Sequence, residues 1–438
     1  MTDTTKANYT KAFMVVTSLF FMWGFITVLV DSLIPRLKEV FELTYFQAGL
    51  VQFAFFMAYF FLSIPSGFIL ARIGYKKGML LGLATMGVGC LLFWPAAQLR
   101  IFEIFLLGYF VLAGGMTILQ VAANPYVAVL GDARTASSRL NLSQAFNSVG
   151  TTIAPVIGAM FILSDNISTT DEIIAYSEVE KLAYYAGEAS AVQGPFVVLA
   201  LALLALAGLV AIVKLPNVLD TEHAGSYWKA MGNKHLMMGA LGIFLYVGAE
   251  VAIGSYLVSY FLDMNLVEAV KNSSFLSGIS SSLLNTDDLS SIDAKGIVGA
   301  FVTFYWGGAM IGRFIGAYLT NVLSPGKVLG GFSLGAITLI AISMSSMGLT
   351  AMISILAVGL FNSIMFPTIF ALAIEDLGEL KPQGSGILCT AIVGGAIIPP
   401  LYGYLTDLAG FKMAMILILA CYAYILYYGI GAKKKVVA

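Results

Sequence analysis

The sequence predicts an all-α membrane protein of twelve transmembrane helices in two pseudo-symmetric six-helix halves. Three observations predict it. Of 438 residues, 59% are hydrophobic and only 11% are charged, roughly half the charged share of a soluble domain. The apolar residues fall in a dozen runs, each near the ~20 residues that cross a bilayer. The chain also repeats itself. Gly150-x4-Pro155-x2-Gly158 returns as Gly395-x4-Pro400-x2-Gly403, Gly67 as Gly312 and Pro125 as Pro367, at offsets of 245, 245 and 242 residues. So little charge could not cover a soluble enzyme, a nucleic-acid binder or a disordered chain.

The elements follow in order. The first run, Ala12–Ile34, is too long for a signal core and no small-residue cleavage pattern follows it, so it is span one. Gln47–Ala71 and Gly78–Gln98 are spans two and three, with a short cationic loop between them. Ile101–Leu130 is span four, antiparallel to its predecessor across a tight turn. Leu140–Leu163 is span five and carries the first Gly-Pro-Gly copy. Pro195–Val213 is span six. The polar stretch Lys214–Lys234 is a linker between an N-terminal bundle, 1–213, and a C-terminal one, 235–438. Spans seven to nine are Leu236–Leu262, Gly296–Leu323 and Val328–Met347. Thr350–Ile374 follows another tight turn, Gly384–Leu408 carries the second Gly-Pro-Gly copy, and Phe411–Ile430 is last.

Basic residues set the orientation. With both termini in the cytoplasm, inside segments hold fifteen Lys and Arg, outside loops hold seven, and Arg313 lies within span eight. A bacterial inner-membrane location is expected, with lipid as the surrounding partner, no nucleic-acid partner and a monomeric state.

Ionisable groups at membrane depth are costly, about 2.5–3.5 kcal/mol, and mark function. Asp31 in span one and Glu250 in span seven qualify. The bland alternatives are an interfacial acid paired with Arg36 or Lys38, and a structural acid tied to another helix. Arg313 reads as a snorkelling or bracing cation. Gln120 and Asn124 share a face of span four at i, i+4. Gln144 and Asn147 form a stripe on span five with Ser148, and Asn362 precedes Pro367 on span ten. Such amides either glue helices or hydrogen-bond a polar ligand. Trp23, Phe146, Tyr246, Tyr305, Trp306 and Phe366 could supply apolar platforms. Pro125, Pro155, Pro367, Pro399 and Pro400 are expected to break helices at depth. Cys90, Cys389 and Cys421 have no metal-binding spacing. No histidine, HExxH or aspartate pair lies within a span, so an enzyme and a cofactor are not expected. Repeated membrane halves are the build of secondary transporters.

Gly67-Phe-Ile-Leu-Ala71-Arg72-Ile-Gly74-Tyr-Lys76-Lys77 resembles the signature loop of the major facilitator superfamily, with Ala71 at its acidic position. Further stretches resemble the fucose and glucose/galactose symporter family within it. They are Phe20-Phe21-Met-Trp23-Gly, Asn124-Pro125-Tyr126-Val, Arg139-Leu-Asn-Leu-Ser-Gln144-Ala-Phe-Asn147-Ser, Tyr246-Val-Gly-Ala-Glu250 and Phe366-Pro367-Thr-Ile-Phe370. The resemblance implies cation-driven hexose uptake by alternating access. It carries the fucose branch's span-one acid to Asp31 and its span-four acid to Gln120, which cannot titrate. Glu250 stands where that branch has an amide, which places the chain closer to the glucose/galactose branch. The expected sugar-binding residues are therefore Trp23, Gln120, Asn124, Gln144, Asn147, Glu250, Asn362 and Phe366. Asp31, with Gln120 and Asn147, is expected to hold the coupling ion. Sodium, with Asp31 as its ligand, is favoured slightly over the proton because the span-four acid is lost. A passive sugar facilitator and a proton-coupled fucose or N-acetylhexosamine symporter are the alternatives.

Overall fold

The computed structural model describes residues 3–40, 45–162, 176–218, 225–286 and 288–431, and among these every regular element is a helix. Span one is α1 (Asp3–Val40) and spans two and three are α2 (Tyr45–Leu99). Spans four, five and six are α3 (Phe102–Val129), α4 (Ala136–Ile162) and α5 (Glu178–Ile212). The short α6 (Tyr227–Met231) lies in the linker, and α7 (Lys234–Asp263) is span seven. Two short helices follow, α8 (Leu266–Asn272) and α9 (Ser274–Leu284). Span eight is α10 (Ala294–Gly299) with α11 (Val302–Val322), and span nine is α12 (Pro325–Ser345). Span ten divides into α13 (Gly348–Asn362) and α14 (Met365–Ala373), and span eleven into α15 (Lys381–Thr390) and α16 (Gly394–Ala409). Span twelve is α17 (Phe411–Gly431).

Ten described segments are long and apolar enough to cross a membrane. One of them, Leu50–Leu99, has 50 residues and as a single straight helix would be about 75 Å long at 1.5 Å per residue. That is more than twice the ~30 Å hydrocarbon core. Gly74 interrupts it at φ 80°, ψ 165°, a backbone region glycine enters without steric cost. Segment 45–99 therefore holds two spans. Span five, α4, is long enough to cross and carries Arg139, Asn141, Gln144 and Asn147 in its N-terminal half. Ten segments, one of them double, plus α4 make the twelve. The expected tight turns are present, with Arg100 at φ 52° before α3 and Gly348 at φ 62° opening α13.

The chain forms two compact units. Unit one comprises Met1–Asp132, Phe146–Gly232 and Asp376–Thr390. Unit two comprises Ala133–Ala145, Asn233–Glu375 and Ala391–Ala438. Against the expected bundles, the first turns of spans five and eleven change sides.

In unit one, α2 packs on α3 and α5. Phe93 and Phe196 stack at 4.0 Å between ring centroids. Lys76, from the cationic loop, donates to the carbonyls of Ala211 at 2.8 Å and Val213 at 2.9 Å. A cation there satisfies the open carbonyls at the α5 C-terminus and complements its dipole. Arg72 lies 4.1 Å over the Phe68 ring. Ser177 and Glu180 form a capping box that starts α5.

In unit two, α7 packs on α16, α14 and α17, and α11 packs on α13. A Cβ on Gly359 would run into the carbonyl of Tyr305, so α11 and α13 meet at backbone contact there. At the far end of the bundle, Lys412 Nζ donates to the Ser346 carbonyl at 2.6 Å, beyond the end of α12.

The prolines do less breaking than the sequence suggests. Helices continue through Pro125 and Pro155. Spans ten and eleven are interrupted instead at Ser363–Ile364 and Ala391–Val393, ahead of Pro367 and of Pro399–Pro400. Proline removes the N–H that would bond the carbonyl four residues back. A side chain can supply the missing donor.

Candidate functional site

Unit one carries a buried polar set. Gly24 faces Asn147 so closely that a Cβ there would lie 2.5 Å from the amide nitrogen. This close pass of spans one and five lets Asn147 Nδ2 donate to the Phe20 carbonyl at 2.8 Å. Trp23 is buried and packs on Phe20 at 4.8 Å. Gln120 Nε2 donates to the Tyr59 hydroxyl at 2.5 Å, and both residues are buried. One turn on, Asn124 is 0% exposed, and neither end of its amide has a partner among the described residues. An unpaired buried polar group costs about 1–3 kcal/mol, so Asn124 is the member of this set that most needs a partner. Asp31 lies on the α1 backbone, and its side chain is outside the described residues.

Unit two carries a second set around Glu250. Glu250 is a half-buried residue on α7, its carboxylate within electrostatic reach of Arg313, Tyr246, Tyr305 and Tyr422. Asn362 is 0% exposed and held at both ends. Its Nδ2 donates to the Tyr305 hydroxyl at 2.5 Å, and the Tyr422 hydroxyl donates to its Oδ1. The close pass at Gly359 positions Tyr305 for this. Phe366 is buried against Phe370 at 5.8 Å. Gln144 belongs to this unit and is buried; its carbonyl accepts from Arg313 Nη1 at 3.2 Å.

The two repeated prolines explain two further bonds. Pro367 leaves the Ser363 carbonyl without its helical donor, and Arg313 Nε donates to it at 3.2 Å. Pro125 does the same to Val121, whose carbonyl accepts from the Ser385 hydroxyl at 2.8 Å. Arg313 is therefore a brace across spans five, eight and ten rather than a snorkelling cation.

Trp23, Gln120, Asn124 and Asn147 thus fall in one unit. Gln144, Glu250, Asn362 and Phe366 fall in the other. The tyrosines that hold the amides were not among the expected binding residues. Tyr59 and Tyr422 sit in aromatic-rich runs where a phenol reads as packing. Tyr305 reads as a platform, with nothing in the sequence to pair its hydroxyl with Asn362. The three cysteines are buried.

The polar sets on otherwise apolar spans invite comparison with known transporters. The Major Facilitator Superfamily model matches residues 12–388. The chain belongs to the major facilitator superfamily. Its membership makes the chain a multi-pass membrane transporter rather than an enzyme. Within this superfamily it is 48% identical to the glucose/galactose transporter of Brucella abortus biovar 1 (strain 9-941), over 98% of this chain and 96% of that protein. It is 34% identical to the L-fucose-proton symporter of Escherichia coli (strain K12), over 92% and 88%. The crystal structure of the superfamily transporter FucP, in the outward conformation, matches with a TM-score of 0.86 at 33% identity, over 98% of this chain and 100% of that one.

Proposed function

We propose that this transporter carries a hexose of the glucose/galactose kind together with a cation, by alternating access in a bacterial inner membrane. The observation that carries the reading is Glu250, an acid whose carboxylate lies among tyrosines at membrane depth. A carboxylate accepts strong hydrogen bonds from hydroxyls, and phenols both donate and accept. That is the chemistry a sugar ring needs, and a 48% identical relative is named for glucose and galactose. Glu250 would accept from sugar hydroxyls, with Tyr246 and Phe366 against apolar faces of the ring. Asn362 and Gln144 would shape that set rather than touch the sugar, since two tyrosines already hold both ends of the Asn362 amide and the Gln144 backbone is tied to Arg313. In unit one, Asn124 and Gln120 are the candidate contacts, with Trp23 as a platform and Asn147 pinning span one.

The proposed coupling ion is the proton, in place of the sodium favoured from sequence. A proton needs a single carboxylate, which Asp31 or Glu250 supplies. A relative 34% identical is named as a proton symporter. Sodium wants several oxygens gathered in one place, by the logic of other hard cations.

Uptake of radiolabelled glucose into proteoliposomes tests the whole reading. An inward proton gradient without sodium should drive accumulation above equilibrium. Accumulation driven only by sodium would restore the Asp31 sodium reading. Entry that never exceeds equilibrium under either gradient would mean a passive facilitator. Transport of fucose or an N-acetylhexosamine but not glucose would reassign the sugar.

A further inference from the structure

We propose that residues 225–231, in the segment joining spans six and seven, are a strap that holds the first turns of span eleven against span two. Such a strap is independent of the sugar and of the coupling ion. Every contact behind it lies within unit one. The segment is anchored along its described length. Val213 receives Lys76 Nζ at 2.9 Å, and the Pro216 carbonyl accepts from the Tyr126 hydroxyl at 3.0 Å. The Gly225 carbonyl accepts from Gln383 Nε2 at 2.9 Å. The Tyr227 hydroxyl then donates to the Ile64 carbonyl at 2.5 Å.

Tyr227 sits in a slot made by two glycines. A Cβ on Gly67 of span two would collide with the Tyr227 hydroxyl. A Cβ on Gly386 of span eleven would lie 2.7 Å from that hydroxyl and 2.8 Å from the Ser63 carbonyl. The phenol therefore occupies space that two bare backbones leave for it, and it touches both spans at once. Ser385, beside the slot, completes the attachment through the carbonyl that Pro125 frees on Val121.

The other displaced segment, Ala133–Ala145, is held differently. Ser138 Oγ donates to Ala317 O at 2.6 Å, Asn141 Nδ2 donates to Thr368 Oγ1 at 3.1 Å, and Arg313 holds Gln144. No linker residue takes part in these three bonds. These three bonds run to spans eight and ten, whereas the span-eleven segment is bonded to the linker through Gln383. For span eleven to part from span two, Tyr227 must leave its slot.

Cys389 is a built-in reporter of that parting. It lies on the strapped segment at 0% exposure, while Cys90 on span three, also at 0%, lies in the same unit off the strap. Membranes holding the full chain would be treated with N-ethylmaleimide, and modification at each cysteine followed by peptide mass spectrometry. Tyr227→Phe keeps the ring and removes one hydrogen bond. It should speed Cys389 modification by about two- to tenfold, the range of one net hydrogen bond, and leave Cys90 unchanged. Tyr227→Ala and Gly386→Ala should speed it further. Unchanged Cys389 rates in all three variants would overturn the strap. So would a parallel rise at Cys90, because that would mean general loosening of the bundle.

Discussion

At the scale of single residues, membrane depth makes each polar atom answerable for a partner. Glu250 is the proposed sugar acceptor. Glu250→Gln should weaken sugar binding by ~1.5–3 kcal/mol, the range for a bond to a charged group, or roughly 10- to 150-fold. Calorimetric titration of purified protein with glucose reads this directly, and wild-type affinity would leave Glu250 a structural acid. The Tyr305–Asn362–Tyr422 chain makes a different demand. Tyr422→Phe strips the donor from a buried amide oxygen and should cost about 1–3 kcal/mol. Replacing all three at once (Tyr305→Phe, Asn362→Leu, Tyr422→Phe) leaves no orphan and should cost less than the single change. Thermal unfolding in detergent would compare the two, and a triple variant less stable than Tyr422→Phe would sink the idea. Sequence made Glu250, the amides and Arg313 visible because such residues are costly in an apolar run. It could not show which amides were already satisfied. That depends on phenols such as Tyr59 and Tyr422, which are distant in the chain and indistinguishable from packing aromatics.

At the scale of helices, apolar run length located most spans to within a few residues. It separated spans two and three cleanly because Arg72, Lys76 and Lys77 interrupt the apolar pattern. The structure breaks the helix there at Gly74, which separates the two spans. The effect of the prolines is less legible, because the sequence does not reveal which side chain will take up the freed carbonyl. Ser385 serves Val121 in span four, which stays whole, and Arg313 serves Ser363 at the short interruption ahead of Pro367. Small residues at helix crossings are the other device, and here the backbone distances decide. Gly359→Leu drives a side chain into the Tyr305 carbonyl. Overpacking typically costs about 1–3 kcal/mol, and a rigid backbone obstacle places this substitution at the upper end. It should also pull Tyr305 away from Asn362. Gly331, with no neighbouring atom within 4 Å of a Cβ, is the control: Gly331→Leu should leave the melting temperature nearly unchanged. Equal losses in both variants, read by fluorescence-detected size exclusion after heating, would mean that the crossing is not tight.

At the scale of the whole molecule, the repeat visible in the sequence reappears in the way the chain is partitioned. The displaced segments, Ala133–Ala145 and Asp376–Thr390, lie almost 245 residues apart, the offset of the Gly-Pro-Gly motif. The motif announced two halves but not this exchange. Covalent order does not say where the first turns of a span will pack; Ser138, Asn141, Gln383 and Ser385 decide it through their bonds. Orientation is the remaining whole-molecule property, and it rests on charge. Fifteen basic residues fall on one set of termini and connecting segments and seven on the other. Retention of Lys and Arg on the cytoplasmic side orients membrane helices, so the linker with Lys214, Lys229 and Lys234 should face inward and α9 outward. Ser226 and Ser282 are both exposed, one on each of these segments, and the three native cysteines are buried. In intact cells, a membrane-impermeant maleimide should therefore modify Ser282→Cys and spare Ser226→Cys. After permeabilisation, both should react. Modification of Ser226→Cys alone in intact cells would reverse the orientation and place the Tyr227 strap on the outer face.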